Sequence, residues 1–224
     1  MEKVIYFALF MGLMFYIYKR VSRSSRLDYL QGYRFHPSLR KKLQSRYPHL
    51  NDDQVTLVFD TLRDYFHICN RANQKMVAMP SQVVDVAWHE FILSTRLYKE
   101  FCTKALGKFL HHTPTEVMKS PTSAGAGIKR AWQLACKHEQ INPSAPERLP
   151  MLFGIDALLK IPDGYTYVLD CKNPASPMYG SGYCASDIGC SSGCGGDSGD
   201  SISDGFGDSS CGGSSCGGSC GGGD

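Results

Sequence analysis

The chain has 224 residues, of which 42% are apolar and 11% aromatic, enough for one ordinary domain with extensions. Its net charge of +3 is unevenly distributed: residues 180–224 carry −6, so residues 1–179 carry +9. About four of the basic charges flank an N-terminal apolar segment and suit anionic lipid there, so we do not expect a nucleic-acid partner.

The N-terminal segment from Val4 to Tyr18 is uncharged over 15 residues. As a helix it would span about 22 Å, which is shorter than the roughly 30 Å hydrocarbon layer of a bilayer. Tyr16 and Tyr18 suit the membrane interface, and Lys19 can extend into the headgroups. We therefore predict a transmembrane anchor over residues 1–20 that contacts the membrane through residues 4–18.

A cleaved signal peptide and a buried soluble helix are the alternatives for this segment. Ser22 and Ser24 would suit a cleavage site, but basic residues follow the apolar run directly, which favours an uncleaved anchor. The basic flank predicts a single-pass protein with its body on the cytoplasmic side; the flank comprises Lys19, Arg20, Arg23 and Arg26. In that reducing compartment a disulfide framework is the less favoured interpretation of the ten cysteines.

The body is predicted to be mainly α-helical, with a basic spacer over residues 21–36 and a compact domain of four to five helices over residues 37–172. Asn51 or Asp52 caps an amphipathic helix, and Ser81 begins a long helix that Gly107 ends. The remaining segments are shorter, and they comprise helices within residues 37–47, 126–140 and 152–159 and an extended stretch at 165–169.

The C-terminal segment, residues 173–224, is rich in Gly, Ser, Cys and Asp. Because it has almost no apolar side chains, we predict that it is disordered and contributes little to the core. Its cysteines form two groups with similar spacing, and thiolate binding of a metal by these groups is the alternative.

The long helix carries an apolar stripe that steps by three and four residues; it comprises Val84, Trp88, Phe91, Thr95, Tyr98 and Cys102. We interpret Trp88, Tyr98 and Cys102 as core residues, with a partner required for the Tyr98 hydroxyl.

His89 lies off this stripe, one helical turn after Asp85. A carboxylate that accepts a ring N–H fixes the histidine tautomer, as in metal ligands and general bases. Asp85 and His89 are thus candidate catalytic residues, with a purely structural hydrogen bond as the alternative. For a metal such as zinc, His111 and His112 join them as candidates, although about 27 Å of straight helix would separate them from His89.

The stretch "VVDVAWHEFILSTRLYKEFCTKALGKFLHHTP" resembles the signature of the glycine-rich-domain-containing-protein-like family: an Asp, a Trp-His pair, a Tyr, a Cys and a later His. The segment "LPMLFGIDALLKIPDG" is similar to one in small membrane-anchored relatives. The plant members have Thr-His after the Trp-His pair, whereas Glu90 and Phe91 stand here, so the resemblance implies no His-x-His site. It implies no established chemistry.

Two functional hypotheses follow. The first is a membrane-tethered cytoplasmic helical module that binds or scaffolds a protein partner, favoured because the sequence has no nucleotide loop or nucleophile elbow. The second is a metal-dependent or acid–base enzyme that uses the Asp85 and His89 pair.

Overall fold

A computed structural model describes residues 1–73, 75–112, 121–169, 183–185 and 188, and this part of the chain is mainly helical. Seven α-helices are present in it: α1 (Glu2–Gly32), α2 (Pro37–Arg46), α3 (Asp52–Arg71), α4 (Gln82–Leu93), α5 (Thr95–Phe101), α6 (Pro121–His138) and α7 (Met151–Leu158). A π-helical turn, Cys102–Leu106, continues α5. Two short strands, β1 (Tyr167–Val168) and β2 (Tyr183–Cys184), pair in parallel. The prediction of a mainly α fold is confirmed.

Helix α1 has an apolar half and a half that packs on the body. It is long and apolar enough to cross a membrane, and none of its apolar window is buried in the protein. The alternative of a buried soluble helix is therefore wrong. The helix continues through most of the predicted spacer and ends with Leu30 fully buried and Tyr33 against Phe101. Helix α1 thus runs without interruption from the apolar segment into the domain.

Helix α3 forms the centre of the core, and the sequence predicts it well. Asn51 accepts a hydrogen bond from the Gln54 backbone N–H while the Gln54 side chain accepts one from the Asn51 N–H, a complete capping box. The predicted apolar face is buried along its length; it comprises Val55, Val58, Leu62, Tyr65 and Cys69.

The long helix predicted from Ser81 to Gly107 is interrupted at Ser94. Ser81 caps α4 through the Val84 N–H, and Gly107 ends the π-helical turn at φ 72°, as predicted. Ser94, however, has φ −83° and ψ 60°, and the chain turns back there. The rings of Phe91 and Phe101 are 5.2 Å apart, whereas ten residues of straight helix would separate them by about 15 Å. The prediction of one continuous helix is wrong.

A buried carboxylate fixes the start of α4 against α7. Asp156 is 2% exposed, and it accepts hydrogen bonds from the Ser81 hydroxyl and from the backbone N–H groups of Gln82, Val83 and Tyr165. These donors include unpaired N–H groups of the first helical turn, and the carboxylate also suits the positive end of the helix dipole. The α4 helix is therefore held in a fixed position.

The predicted tail over residues 173–224 falls almost wholly outside the described residues, and so do its cysteines from Cys190 onward. At its start, however, Tyr183 and Cys184 form β2, and Ala185 is fully buried. Cys184 is disulfide-bonded, whereas Cys69, Cys102 and Cys136 are free thiols. Cys184 thus forms a disulfide, which the predicted reducing compartment disfavours.

Candidate metal centre

Asp85, His89 and His112, called the triad below, bring together one potential metal-ligand atom each within 4.8 Å. Asp85 and His89 lie one turn apart on α4, and the Asp85 Oδ2 to His89 Nδ1 distance is 3.1 Å. The other carboxylate oxygen, Oδ1, is 2.8 Å from His112 Nε2. Asp85 therefore bridges two imidazole rings, whose centroids are 4.1 Å apart.

The break at Ser94 brings His112 to this position. Because α5 and the π-helical turn run back beside α4, the segment 107–112, here called the return loop, passes over the Trp88 and His89 end of the site. The Trp88 and His112 ring centroids are 4.6 Å apart. The long separation that the sequence predicts between His89 and the two later histidines does not exist.

A buried hydrogen-bond chain fixes the return loop. The Trp88 indole N–H donates to the Tyr98 hydroxyl at 3.1 Å, and that hydroxyl donates to the Leu110 carbonyl oxygen at 2.5 Å. Trp88, Tyr98 and Cys102 are 3%, 1% and 0% exposed, as predicted for core residues. The Tyr98 hydroxyl has the partner that the sequence required, and that partner positions His112.

The triad opens onto a cavity of about 860 Å³. Exposure of the three side chains decreases from 49% for His89 to 22% for Asp85 and 13% for His112. The carboxylate is thus partly shielded while the His89 ring reaches the open space. A group held by these three residues would remain accessible from the cavity.

The triad has the chemistry of a site for a divalent transition metal. Imidazole nitrogen and carboxylate oxygen suit zinc, and two histidines with one carboxylate also suit Fe(II). Ligand atoms about 2.05 Å from a tetrahedral zinc lie roughly 3.3 Å apart, whereas the three ligand atoms of the triad lie within 4.8 Å of one another. The side chains would therefore move closer together to hold one ion.

The fourth predicted candidate, His111, is not part of the triad. It is exposed on the return loop, and its ring makes a tilted contact with Phe109, with centroids 4.8 Å apart. Of these two neighbouring histidines, His112 is the one that contacts Asp85, at 2.8 Å. The structure selects His112.

The buried thiols of the body are unsuited to nucleophilic or ligand roles. Burial raises the pKa of Cys69 to about 12 and that of Cys136 to about 11, and it also raises the pKa of Cys102. The thiolate is the reactive and metal-binding form. These three residues act as small core side chains, as predicted.

Sequence reasoning missed the contribution of α1 to the cavity. Arg26 lines it together with Gly107, and a β-carbon at Gly107 would lie 2.3 Å from the Arg26 guanidinium carbon. Gly107 therefore permits both the left-handed turn and the close approach of Arg26. The glycine itself was a signal for the turn, but no residue pattern predicts contact with Arg26.

Together these features define a helical domain with a histidine–carboxylate centre at the wall of a cavity. The chain belongs to the UCP032817-like family, whose model matches residues 25–188. The match contains the whole triad and Arg26. No curated protein and no solved structure matches the chain. The resemblance to the glycine-rich-domain-containing-protein-like family stays a prediction.

Proposed function

We propose that the protein is a membrane-tethered metalloenzyme whose centre binds one divalent transition metal through Asp85, His89 and His112. The observation that carries the proposal is the convergence of these three side chains beside a cavity. A metal with three protein ligands retains a position for water or substrate, which is typical of catalytic rather than structural zinc. Such an ion would lower the pKa of a bound water to about 7 and act as a Lewis acid.

The presence of His112 favours metal binding over a simple acid–base pair. A general-base histidine needs one carboxylate partner, whereas both oxygens of Asp85 face an imidazole nitrogen. Two imidazole nitrogens and one carboxylate oxygen within 4.8 Å of one another supply three ligand atoms of the types that a transition metal binds. The alternative role as a protein-interaction module stays a prediction, and no contact among the described residues favours it.

The experiment uses the full chain purified in detergent, stripped with a chelator and titrated with Co(II). A visible absorption band of a four- or five-coordinate cobalt site is expected, and it should disappear in His89→Gln. Added azide should shift the band because an open coordination position faces the cavity. A spectrum identical in wild-type protein and His89→Gln would contradict the proposal.

For location, we propose an anchor in the membrane with the body on the cytoplasmic side. The apolar half of α1 and the basic residues after it support this arrangement. The Cys184 disulfide counts against it, since disulfides persist mainly in oxidising compartments. Protease added to intact cells should leave the body undigested. Digestion from outside would reverse the proposed orientation.

A further inference from the structure

The cavity beside the triad has a strongly cationic wall. Arg26, Lys75 and Lys108 line it, and Asp85 is the one acidic residue among its described lining residues. One carboxylate against three cations leaves these charged lining groups with a net charge of +2. A bound divalent metal would add further positive charge at the same wall. The cavity therefore favours an anionic ligand, and a dianion over a monoanion.

Arg26 has donors to spare for such a ligand. A guanidinium group carries five N–H donors in a planar fork. Among the described residues, the structure gives Arg26 one hydrogen bond, a long one of 3.5 Å to the Leu106 carbonyl oxygen. Its side chain is half-buried, so its direction is restrained by its surroundings. This geometry suits bidentate binding of a phosphate, while the two lysines can act as point charges.

The cationic wall also lies close to the proposed membrane surface. Arg26 follows Tyr18, the end of the apolar run, by eight residues of the same uninterrupted helix α1. Those eight residues span about 12 Å, so an upright helix would place Arg26 roughly 5 Å beyond a headgroup layer that is about 5–8 Å deep. Ligands from the lipid headgroups and from the aqueous phase can both approach at this height.

We propose that the cavity binds a phosphate monoester group, with Arg26 as its principal anion-binding residue and the triad metal in the same cavity. This inference rests on the proposed function for the role of the metal, but the cationic wall binds phosphate by its own charge. The phosphate group belongs either to a soluble ester or to a lipid such as phosphatidic acid.

The test measures binding of phenyl phosphate and benzoate to the full chain in detergent, with and without zinc. The two probes share a ring and differ in having a dianionic phosphate or a monoanionic carboxylate. Phenyl phosphate should bind at least about tenfold more tightly than benzoate. Arg26→Gln should remove at least about tenfold of that affinity, whereas Arg20→Gln, the same charge loss on the same helix outside the cavity, should leave it unchanged.

Gly107→Ala provides a second variant that retains every charge. Its methyl group would displace the Arg26 guanidinium and would also strain the left-handed turn at Gly107, so phenyl phosphate affinity should fall even though the cation remains. If Arg26→Gln does not fold, Lys108→Gln with Lys75→Gln takes its place, and the paired change should weaken phenyl phosphate binding against the Arg20→Gln control. Equal affinity for the two probes, or equal effects of cavity and control variants, would overturn the proposal.

Binding measurements on metal-free protein distinguish failure of this inference from failure of the proposed function. If the triad binds no metal but Arg26 binds phosphate, phenyl phosphate binding should persist in chelator-treated protein and still depend on Arg26. Vesicles of phosphatidylcholine with or without phosphatidic acid then distinguish the sources of phosphate. Displacement of phenyl phosphate by the phosphatidic acid vesicles alone assigns the site to lipid, and displacement by glycerol phosphate alone assigns it to soluble esters. Displacement by neither would contradict the assignment.

Discussion

The Tyr98 hydroxyl donates a 2.5 Å hydrogen bond to the Leu110 carbonyl oxygen, and so connects a core helix to the loop that carries His112. The same hydroxyl accepts the Trp88 indole N–H at 3.1 Å. One buried oxygen atom thus holds the return loop at the position where His112 reaches Asp85.

Tyr98→Phe should therefore weaken the metal centre without removing a ligand. The Trp88 N–H would lose its buried acceptor, which costs about 1–3 kcal/mol, and zinc affinity should fall about 10–100-fold because the support of a ligand is lost. Competition with a chromogenic chelator measures the affinity, and denaturation measures the free energy of unfolding.

Tyr47→Phe is the matched control, since it removes the same atom from a buried tyrosine whose hydroxyl bonds to Asp163 away from the triad. Zinc affinity of Tyr47→Phe should equal that of wild type. Equal zinc affinities in the two variants would show that Tyr98 does not support the metal centre.

Trp88 and His89 are adjacent, but we expect them to have different roles. Trp88→Ala removes a side chain that is 3% exposed and should reduce the free energy of unfolding by about 3–5 kcal/mol. The His89 side chain is 49% exposed, so His89→Gln should change the free energy of unfolding by less than about 1 kcal/mol. Its main effect should be on metal binding.

Chemical denaturation and metal titration of the two variants distinguish these roles. A His89→Gln protein as unstable as Trp88→Ala, with unchanged metal binding, would make His89 a structural residue.

The C-terminal segment should be separable from the domain after residue 190. Removal of residues 191–224 should leave the melting temperature unchanged, because the compact unit that contains the helices extends to Cys190. Removal of residues 180–224 also deletes β2 and the buried Ala185, and should cost about 1–3 kcal/mol. The sequence prediction that the whole tail contributes little to the core does not account for these residues. Equal melting temperatures of the two truncated proteins would contradict the revised boundary.

The pKa values of two histidines outside the triad should be shifted in opposite directions. The hydrogen bond that the His138 ring donates to Asp64 raises the pKa of His138 above 6.5. Burial lowers the pKa of His67, whose ring centroid is 4.6 Å from that of His138. Stabilisation by the Asp64–His138 pair should therefore be complete below pH 6.5 and be lost as the pH rises through the folded-state pKa of His138. For His67, stability should decrease as the pH falls from 6.5 toward its lowered pKa.

NMR titration of the imidazole nitrogens tests both directions in the detergent-solubilised chain. Asp64→Asn should lower the pKa of His138, and Asp60→Asn, one turn earlier on the same helix and paired with Arg63, should not. If the pKa of His138 is the same in Asp64→Asn as in wild type, the hydrogen bond to Asp64 is not the cause of the shift.

Local sequence signals predict most of the helices, whereas the position of the metal centre depends on long-range contacts. The capping residues Asn51 and Ser81 and the left-handed Gly107 each act within a few residues, so the sequence displays them directly. The break at Ser94 leaves no trace in the apolar stripe, because its spacing of three and four continues across it. Serine can form local hydrogen bonds that compete with the helix, but this property alone does not fix a break.

The candidate centre was predicted in part for the same reason. Asp85 and His89 are neighbours on one helix and can be paired from spacing alone. The choice of His112 over His111 depends on the direction of the return loop, which Trp88 and Tyr98 set through tertiary contacts. The position of Arg26 at the cavity could not be predicted, because its segment has the sequence of a polar spacer. Packing of Leu30 and Tyr33 makes that segment a helix of the domain.

The most direct test of the account compares zinc binding by His112→Gln and His111→Gln in the full chain. The two residues are adjacent on the same loop, so any zinc bound by tail cysteines is common to both variants. We predict that His111→Gln binds zinc at the triad as wild type does, whereas His112→Gln loses at least about tenfold in affinity. Equal zinc affinity and stoichiometry in the two variants would contradict a metal centre at Asp85, His89 and His112.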